Sequence, residues 1–536
     1  MKGRIFIFWF FLFFCFGILI LRLFQLTIIE GALNRKLSDE QRIRLRKITA
    51  PRGMIYDRNG RPLVRNVPIF KKCPASGGVN SVRSGKCEEI SREKALSLEA
   101  QGKEADLAID IGREYPFGEA MAHLLGYLGE VTENEIQNSK CKNQNYKLGD
   151  LIGRTGIEEQ YECLLRGVDG GELVEVDTEG KTIRKIGKKE PVLGTDITLS
   201  IDSDLQVAAF KALKGRRGAV VAQNPNTGEV LALVSTPSFN PNNIEKEVLT
   251  DPGMPFFNRA ISGAYPPGST FKIITATAGL EEGKISSETK ILDPGEIVIG
   301  KYRFSNWYFT RYGKTEGVID LVRAIKRSTD TFFYKVGEFV GATKLVEWGK
   351  VFGLGQVLGI DIPGEISGFL PEPASPQGGW FLGNTYHLSI GQGNLGLTPL
   401  QVNTMTQVIA NGGKLCRSHL ATEVEPPAHG NIGANSVCFE VGLKSETINL
   451  ISEGMREACS PGGTAFPLFD FKPQVACKTG TAEFGDPAGR THAWLTAFAP
   501  TENPEIVVTA LVEAGGEGSS VAAPIVKKVL EEWFRK

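Results

Sequence analysis

Residues 5–21 are all apolar or glycine, and after a single charge at Arg22 the apolar character resumes through Leu23, Phe24, Leu26, Ile28 and Ile29. A run of this length can cross the hydrocarbon core of a bilayer. No small-x-small cleavage pattern of the kind a secretory leader requires precedes Gly31. The expectation is a four-residue cytoplasmic tail (1–4), one uncleaved anchor (5–29) and the remaining mass on one side of the membrane. Lys2, Arg4 and the terminal amine favour a cytoplasmic N-terminus, whereas Arg35, Lys36 and Arg42 beyond the span pull the other way.

The 61 Lys+Arg and 61 Asp+Glu cancel, so no net basic field draws the chain onto nucleic acid, and no nucleic-acid partner is expected. Nine cysteines form no Cys-x-x-Cys pair and five histidines no His-x-x-x-His, so neither a metal site nor a cofactor is expected. Gly391-Gln-Gly393 reads as a tight turn, because no strand, glycine-rich loop and helix surround it. Cys15 lies in the span. Cys73 and Cys87 are the most local pair in an oxidising compartment, and Cys163 and Cys477 are expected to be buried free thiols.

Residues 30–195 are charged and turn-rich, with an Asn59-Gly60 hairpin signal, and read as a mixed α+β module. Charge combined with Gly and Pro over 185–194 marks a domain boundary near 195. Beyond it, residues 218–223 and 229–235 form a β-hairpin, and 474–478, 493–498 and 505–512 are further strands. Residues 521–534 read as a helix with Pro524 in its first turn. Strands from both ends of 196–536 are expected to meet in one antiparallel sheet, with helical segments at 269–280 and 321–340 in an inserted layer. The fold class is α+β.

A serine hydroxyl needs a neighbour to take its proton, and a lysine serves only if burial or other cations lower its pKa. In Ser269-Thr-Phe-Lys272 the two side chains share one helix face, and Pro266-Pro267-Gly268 marks the helix start, where free N–H groups favour a developing oxyanion. Ser91–Lys94 and Ser287–Lys290 share the spacing but lie in polar surroundings. Downstream come Ser328-Thr-Asp330 and Lys478-Thr-Gly-Thr481. Ser200–Asp202 and Ser238–Asn240 also match Ser-x-Asp/Asn, but precede the nucleophile. Ser328 is placed to relay a proton between Lys272 and a leaving amine, Asp330 to orient that network, and Lys478 to depress the Lys272 pKa and attract a carboxylate. Thr479 and Thr481 offer hydroxyls to that carboxylate, Gly480 lets substrate lie on the strand edge, and the N–H groups of Ser269 and Thr481 form an oxyanion hole.

This ordered trio is the signature of penicillin-binding proteins and class A β-lactamases. With Arg52–Gly60, Gly153–Glu158, residues 218–237, Gly391–Gly393, Thr398–Gln401 and Lys478–Glu483, the chain resembles class B penicillin-binding proteins. Asp330 and the following Thr-Phe-Phe-Tyr are similar to the elongation-specific penicillin-binding protein 2 type. The resemblance implies an N-terminal transmembrane helix, a non-catalytic, dimerisation-like extracytoplasmic pedestal over 30–195, and a transpeptidase domain over 196–536. It implies a single-pass inner-membrane enzyme of cell-wall elongation that cross-links peptidoglycan stem peptides. A D-Ala-D-Ala donor would acylate Ser269 and an amine acceptor would resolve the ester, β-lactams would be covalent inhibitors, and a SEDS-family glycan polymerase would be a partner. The shortness of residues 67–112 and the presence of Cys73 and Cys87 depart from that subtype.

The alternatives are a β-lactamase or D,D-carboxypeptidase, in which water deacylates the enzyme, a septal transpeptidase, or a non-catalytic scaffold for a glycan polymerase. The scaffold reading has no need of Lys272 and Lys478, and both are present. His387, His492 and Trp494 read as packed structural residues, and Glu365 as a solvated loop residue.

Overall fold

The apolar run forms one helix, Lys2–Phe24, continued as a π-turn over Gln25–Ile29. The computed structural model describes residues 2–72, 88–101, 107–138, 141, 146–177, 182–373, 379–425 and 437–535. None of the span is buried by the rest of the chain, as suits an element solvated by lipid. Tertiary contacts divide the chain into two units: residues 1–53, 66–114 and 166–194 in one, and 54–65, 115–165 and 195–536 in the other.

The first unit carries the anchor and two three-stranded sheets. In one, Gly170–Val176 lies between Ile43–Ile48 and Thr182–Lys189, antiparallel to both. In the other, Arg65–Lys72 lies between Glu88–Ile90 and Leu107–Glu114, and Phe70 and Leu107 pack on Ile90, Ala95 and Leu98. Cys73 and Cys87 lie outside the described residues.

The second unit is organised by five strands: β1 (Gly218–Gln223), β2 (Val230–Thr236), β3 (Ala476–Glu483), β4 (Thr491–Ala499) and β5 (Ile506–Val512). They form one sheet in the order β2-β1-β5-β4-β3, with every pairing antiparallel. Strands from both ends of the segment therefore do meet, and the last of them occupies the middle. Alternate residues serve opposite faces, the period a strand imposes. Ala493, Leu495, Ala497, Val508 and Ala510 face α1 (Ser203–Leu213) and the C-terminal helix Ala523–Phe534, whereas Trp494, Phe498, Val507 and Leu511 face the inserted helical layer. That layer includes α2 (Lys272–Glu281), α3 (Leu321–Arg327), α4 (Asp330–Val340), α5 (Pro399–Ala410) and α6 (Ser445–Ala458). The Asn59-Gly60 turn is closed by Asp57, whose carboxylate accepts the Asn59 and Arg61 N–H groups at 2.9 and 2.8 Å and the Ser203 hydroxyl at 2.6 Å.

The structure departs from the sequence reading at several points. The apolar period over 321–340 is split into α3 and α4, because Ser328 takes a left-handed φ of 55°. The strand expected at 474–478 instead runs from Ala476 to Glu483, its polar half stabilised by pairing with β4 rather than by apolar alternation. Cys163 and Cys477 are not free thiols: among the described residues the bonded pairs are Cys141–Cys163, Cys416–Cys438 and Cys459–Cys477. Glu365 is not a solvated loop residue: its carboxylate accepts the N–H groups of Leu358, Gly359 and Ile360 at 2.5, 2.9 and 3.2 Å.

The Cys459–Cys477 bond ties the end of α6 to β3 and closes a short loop of the unfolded chain. Replacing both cysteines by serine is expected to cost about 3 kcal/mol, read as a lower midpoint of thermal unfolding without reductant.

Candidate active site

Gly268–Phe271 forms a 3₁₀ turn that runs directly into α2. Three residues per turn stack side chains i and i+3, which aligns Ser269 with Lys272 along one edge. The turn is fixed from several sides. Gly268 adopts φ 54° and donates its N–H to the Gly391 carbonyl at 2.9 Å. A Cβ on Gly391 would fall 2.1 Å from the Gly268 carbonyl oxygen, so only glycine allows this approach. The Trp494 indole N–H donates to the Pro266 carbonyl at 3.0 Å, and the Tyr265 hydroxyl to Glu513 at 2.8 Å. Among the described residues no protein group hydrogen-bonds the Ser269 hydroxyl, which faces a cleft of about 1290 Å³.

Lys272 and Lys478 are both fully buried and converge on Ser328. The Lys272 ammonium donates to the Ser328 hydroxyl at 3.2 Å, the Ser328 carbonyl at 2.7 Å and Asp330 Oδ1 at 2.7 Å. Lys478 donates to the same hydroxyl at 2.8 Å and to the Thr479 carbonyl at 3.1 Å. The Phe333 ring lies 5.3 Å from the Lys272 ammonium. The break between α3 and α4 makes this possible, since a continuous helix would consume the Ser328 carbonyl internally.

Burial lowers the Lys272 pKa, partly offset by the Asp330 carboxylate. Burial, and then the Lys272 charge, push Lys478 well below the ordinary lysine value. The Asp330 carboxylate, in contact with Lys272, opposes the effect of burial on both lysines.

β3 is an edge strand of the sheet and passes the nucleophile turn: a Cβ on Gly268 would lie 2.9 Å from the Thr481 carbonyl oxygen. Gly480 is equally confined, with the Pro267 carbonyl and Trp494 Cβ each 3.0 Å from where its Cβ would be. Thr479 and Thr481 line the cleft with Ser269, Ser328 and Asp330. All eight site residues expected from sequence, Ser269, Lys272, Ser328, Asp330, Lys478, Thr479, Gly480 and Thr481, thus lie together on the nucleophile turn, the α3–α4 junction and the β3 edge. Thr464 and Asn306 were missed. The Thr479 hydroxyl donates to Thr464 Oγ1 at 2.8 Å, and Asn306 Oδ1 accepts the Asp330 N–H at 3.4 Å. Gly462-Gly463-Thr464 was a usable signal for the first, and nothing local marks the second.

The rival motifs have structural uses. Ser91 is an N-cap accepting the Lys94 N–H, and Asp202 caps α1. His492 is buried, stacked on Phe484 at 4.1 Å, and accepts the Ala514 N–H at 3.1 Å. Burial lowers its pKa to about 4, so its ring stays neutral although it also lines the cleft. Among the described residues no cluster of His, Cys, Asp and Glu could hold a metal ion.

Residues 218–531 match the penicillin binding protein transpeptidase domain, and residues 78–199 the penicillin-binding protein dimerisation domain. The chain is 33% identical to the peptidoglycan D,D-transpeptidase MrdA of Acinetobacter baumannii, covering 99% of this chain and 88% of that protein. It is similar to Helicobacter pylori PBP2 solved in complex with MreC, with a TM-score of 0.79 and 27% identity over 92% of this chain and 99% of that one. It also matches a chain of a peptidoglycan synthase complex solved for the structural coordination of polymerization and crosslinking, with a TM-score of 0.78 and 29% identity over 100% and 99% of the two chains.

A lysine whose folded pKa is depressed binds fewer protons than in the unfolded chain, where it titrates near ~10.4. Stability therefore rises with pH from the folded value towards the unfolded one. Thermal midpoints should climb through the alkaline range below ~10, and Lys478→Met should flatten that climb while raising the midpoint at neutral pH.

Proposed function

The chain belongs to the penicillin-binding protein transpeptidases, and from that premise we propose that Ser269 is the nucleophile of a peptidoglycan D,D-transpeptidase of cell-wall elongation. One observation carries the assignment of roles: Lys272, one turn along from Ser269, reaches a serine hydroxyl that Lys478 reaches from the other side, at 3.2 and 2.8 Å. Ser269 Oγ attacks the carbonyl of the penultimate D-Ala, and its proton passes to the Lys272 amine, which acts in the neutral form that burial favours. The tetrahedral oxyanion is held by the N–H groups of Ser269 and Thr481. As the C–N bond breaks, Ser328 gives its proton to the departing D-alanine amine and is reprotonated from Lys272. Asp330 keeps Lys272 aligned for both transfers. Lys478 and the hydroxyls of Thr479 and Thr481 bind the donor carboxylate. The acceptor amine then attacks the ester, the same relay runs in reverse, and Ser269 is released.

Residues 1–4 form a cytoplasmic tail, 5–29 the anchor, 30–195 the non-catalytic pedestal and 196–536 the transpeptidase domain, with 54–65 and 115–165 folding alongside the last. Three disulfides among the described residues fit an oxidising compartment for the chain beyond the anchor, and hence an inner-membrane protein with a periplasmic catalytic domain. β-Lactams mimic the donor and acylate Ser269. The relative solved in a peptidoglycan synthase complex that coordinates polymerization and crosslinking supports a glycan polymerase as partner, for which the sequence resemblance implies the SEDS family, and the relative solved with MreC supports a partner of that kind.

A hydrolytic reading, as β-lactamase or carboxypeptidase, differs only in water resolving the ester. Intact-mass spectrometry after exposure to benzylpenicillin separates the two. A long-lived adduct that maps to Ser269 and disappears in Ser269→Ala is expected; rapid drug turnover with a fleeting adduct would favour the hydrolase, and labelling that survives Ser269→Ala would remove Ser269 from the role.

A further inference from the structure

The free edge of β3 is where an extended peptide would pair, and its length is limited by a side chain. Gln392 lies between two glycines with φ of 76° and 79°, Gly391 and Gly393, in the loop fastened to the nucleophile turn through Gly268. Its own N–H donates to the His387 carbonyl at 2.8 Å, which fixes the backbone from which the side chain projects. The carboxamide reaches Glu483 at the end of β3. Oriented to match its partners, it accepts the Glu483 N–H at 3.1 Å and donates to the Glu483 carbonyl at 3.3 Å. This is the pair of bonds that one residue of a neighbouring strand would make.

Backbone groups on a strand alternate sides with a period of two. If the N–H and C=O of Glu483 face the outer edge, so do those of Thr481, and the approach of the Thr481 carbonyl oxygen to Gly268 agrees. A peptide laid along the edge therefore pairs first with Thr481 and, two residues on, meets a position already filled by Gln392.

We propose that Gln392 is a register stop: it confines backbone pairing of the donor peptide to Thr481, so that the enzyme reads the terminal D-Ala-D-Ala unit by strand addition and the preceding residues leave the edge. Specificity for those preceding residues then rests on the cleft side chains rather than on main-chain pairing. This rests on the acyl-transfer reading above and adds a positional limit to it.

The test compares donors of two lengths, an N-acetylated tripeptide and a pentapeptide both ending in D-Ala-D-Ala, by the release of D-alanine from the full-length enzyme. The readout is the ratio of kcat/KM for the longer donor to that for the shorter. Gln392→Ala frees the Glu483 edge, and the ratio should rise about tenfold, the value of one or two added hydrogen bonds. Gln392→Glu keeps the size but cannot donate to the Glu483 carbonyl, and should give an intermediate rise. Equal ratios in the unaltered enzyme and Gln392→Glu would overturn the register stop, even if Gln392→Ala did not fold. No D-alanine release by the unaltered enzyme, with no β-lactam adduct, would instead overturn the acyl-transfer reading and this inference with it.

Discussion

Two fully buried lysines share one serine hydroxyl, and the rest of the second unit can be understood as what makes that tolerable. Each ammonium loses its hydration on burial, a penalty that nothing apolar offsets. Lys272 recovers part of it from the Asp330 carboxylate, the Ser328 carbonyl and the Phe333 ring. Among the described residues, Lys478 hydrogen-bonds a hydroxyl and a backbone carbonyl but no carboxylate. The two lysines therefore differ: Lys272 has a carboxylate in contact, and in the proposed mechanism Lys478 meets one when the donor binds.

That arrangement depends on a backbone irregularity. A serine in the left-handed region costs roughly 1–2 kcal/mol relative to a helical one, and Ser328 accepts this cost because its carbonyl must be turned away from α3 to reach Lys272. The surrounding chain fixes the conformation. Asn306 receives the N–H of Asp330, and the Trp307 indole N–H donates to the Arg327 carbonyl at 2.8 Å, so the segment on each side of the break is held by one neighbouring turn.

Much of this was legible beforehand, for physical reasons. Ser269 and Lys272 stand out because a Pro-Pro-Gly start and an apolar helix bracket them, and Lys478-Thr-Gly because it is unique and ordered after its companions. The antiparallel sheet followed from β-rich runs at both ends of the segment. The break at Ser328 did not follow, since a serine carries no turn signal like that of glycine or proline, and the apolar period of Leu321, Ile325, Phe332 and Val336 runs across it. Cysteine pairing was equally opaque: Cys459 and Cys477 meet only because α6 packs beside β3. Asn306 and the side chain of Gln392 reach the site across long stretches of sequence, where local pattern is silent.

The strand order carries a consequence for how the molecule comes into being. β5, the last strand in sequence, lies between β1 and β4, so the sheet cannot close until residues 506–512 are available. In a chain made from its N-terminus, residues 269–272 are present long before residues 476–483 can pair as β3. Until then Lys478 has no strand to carry it to the Ser328 hydroxyl, and the group of side chains around Ser269 is incomplete. A chain that stops short of β5 would also leave the β1 and β4 edges unpaired, a template for aggregation.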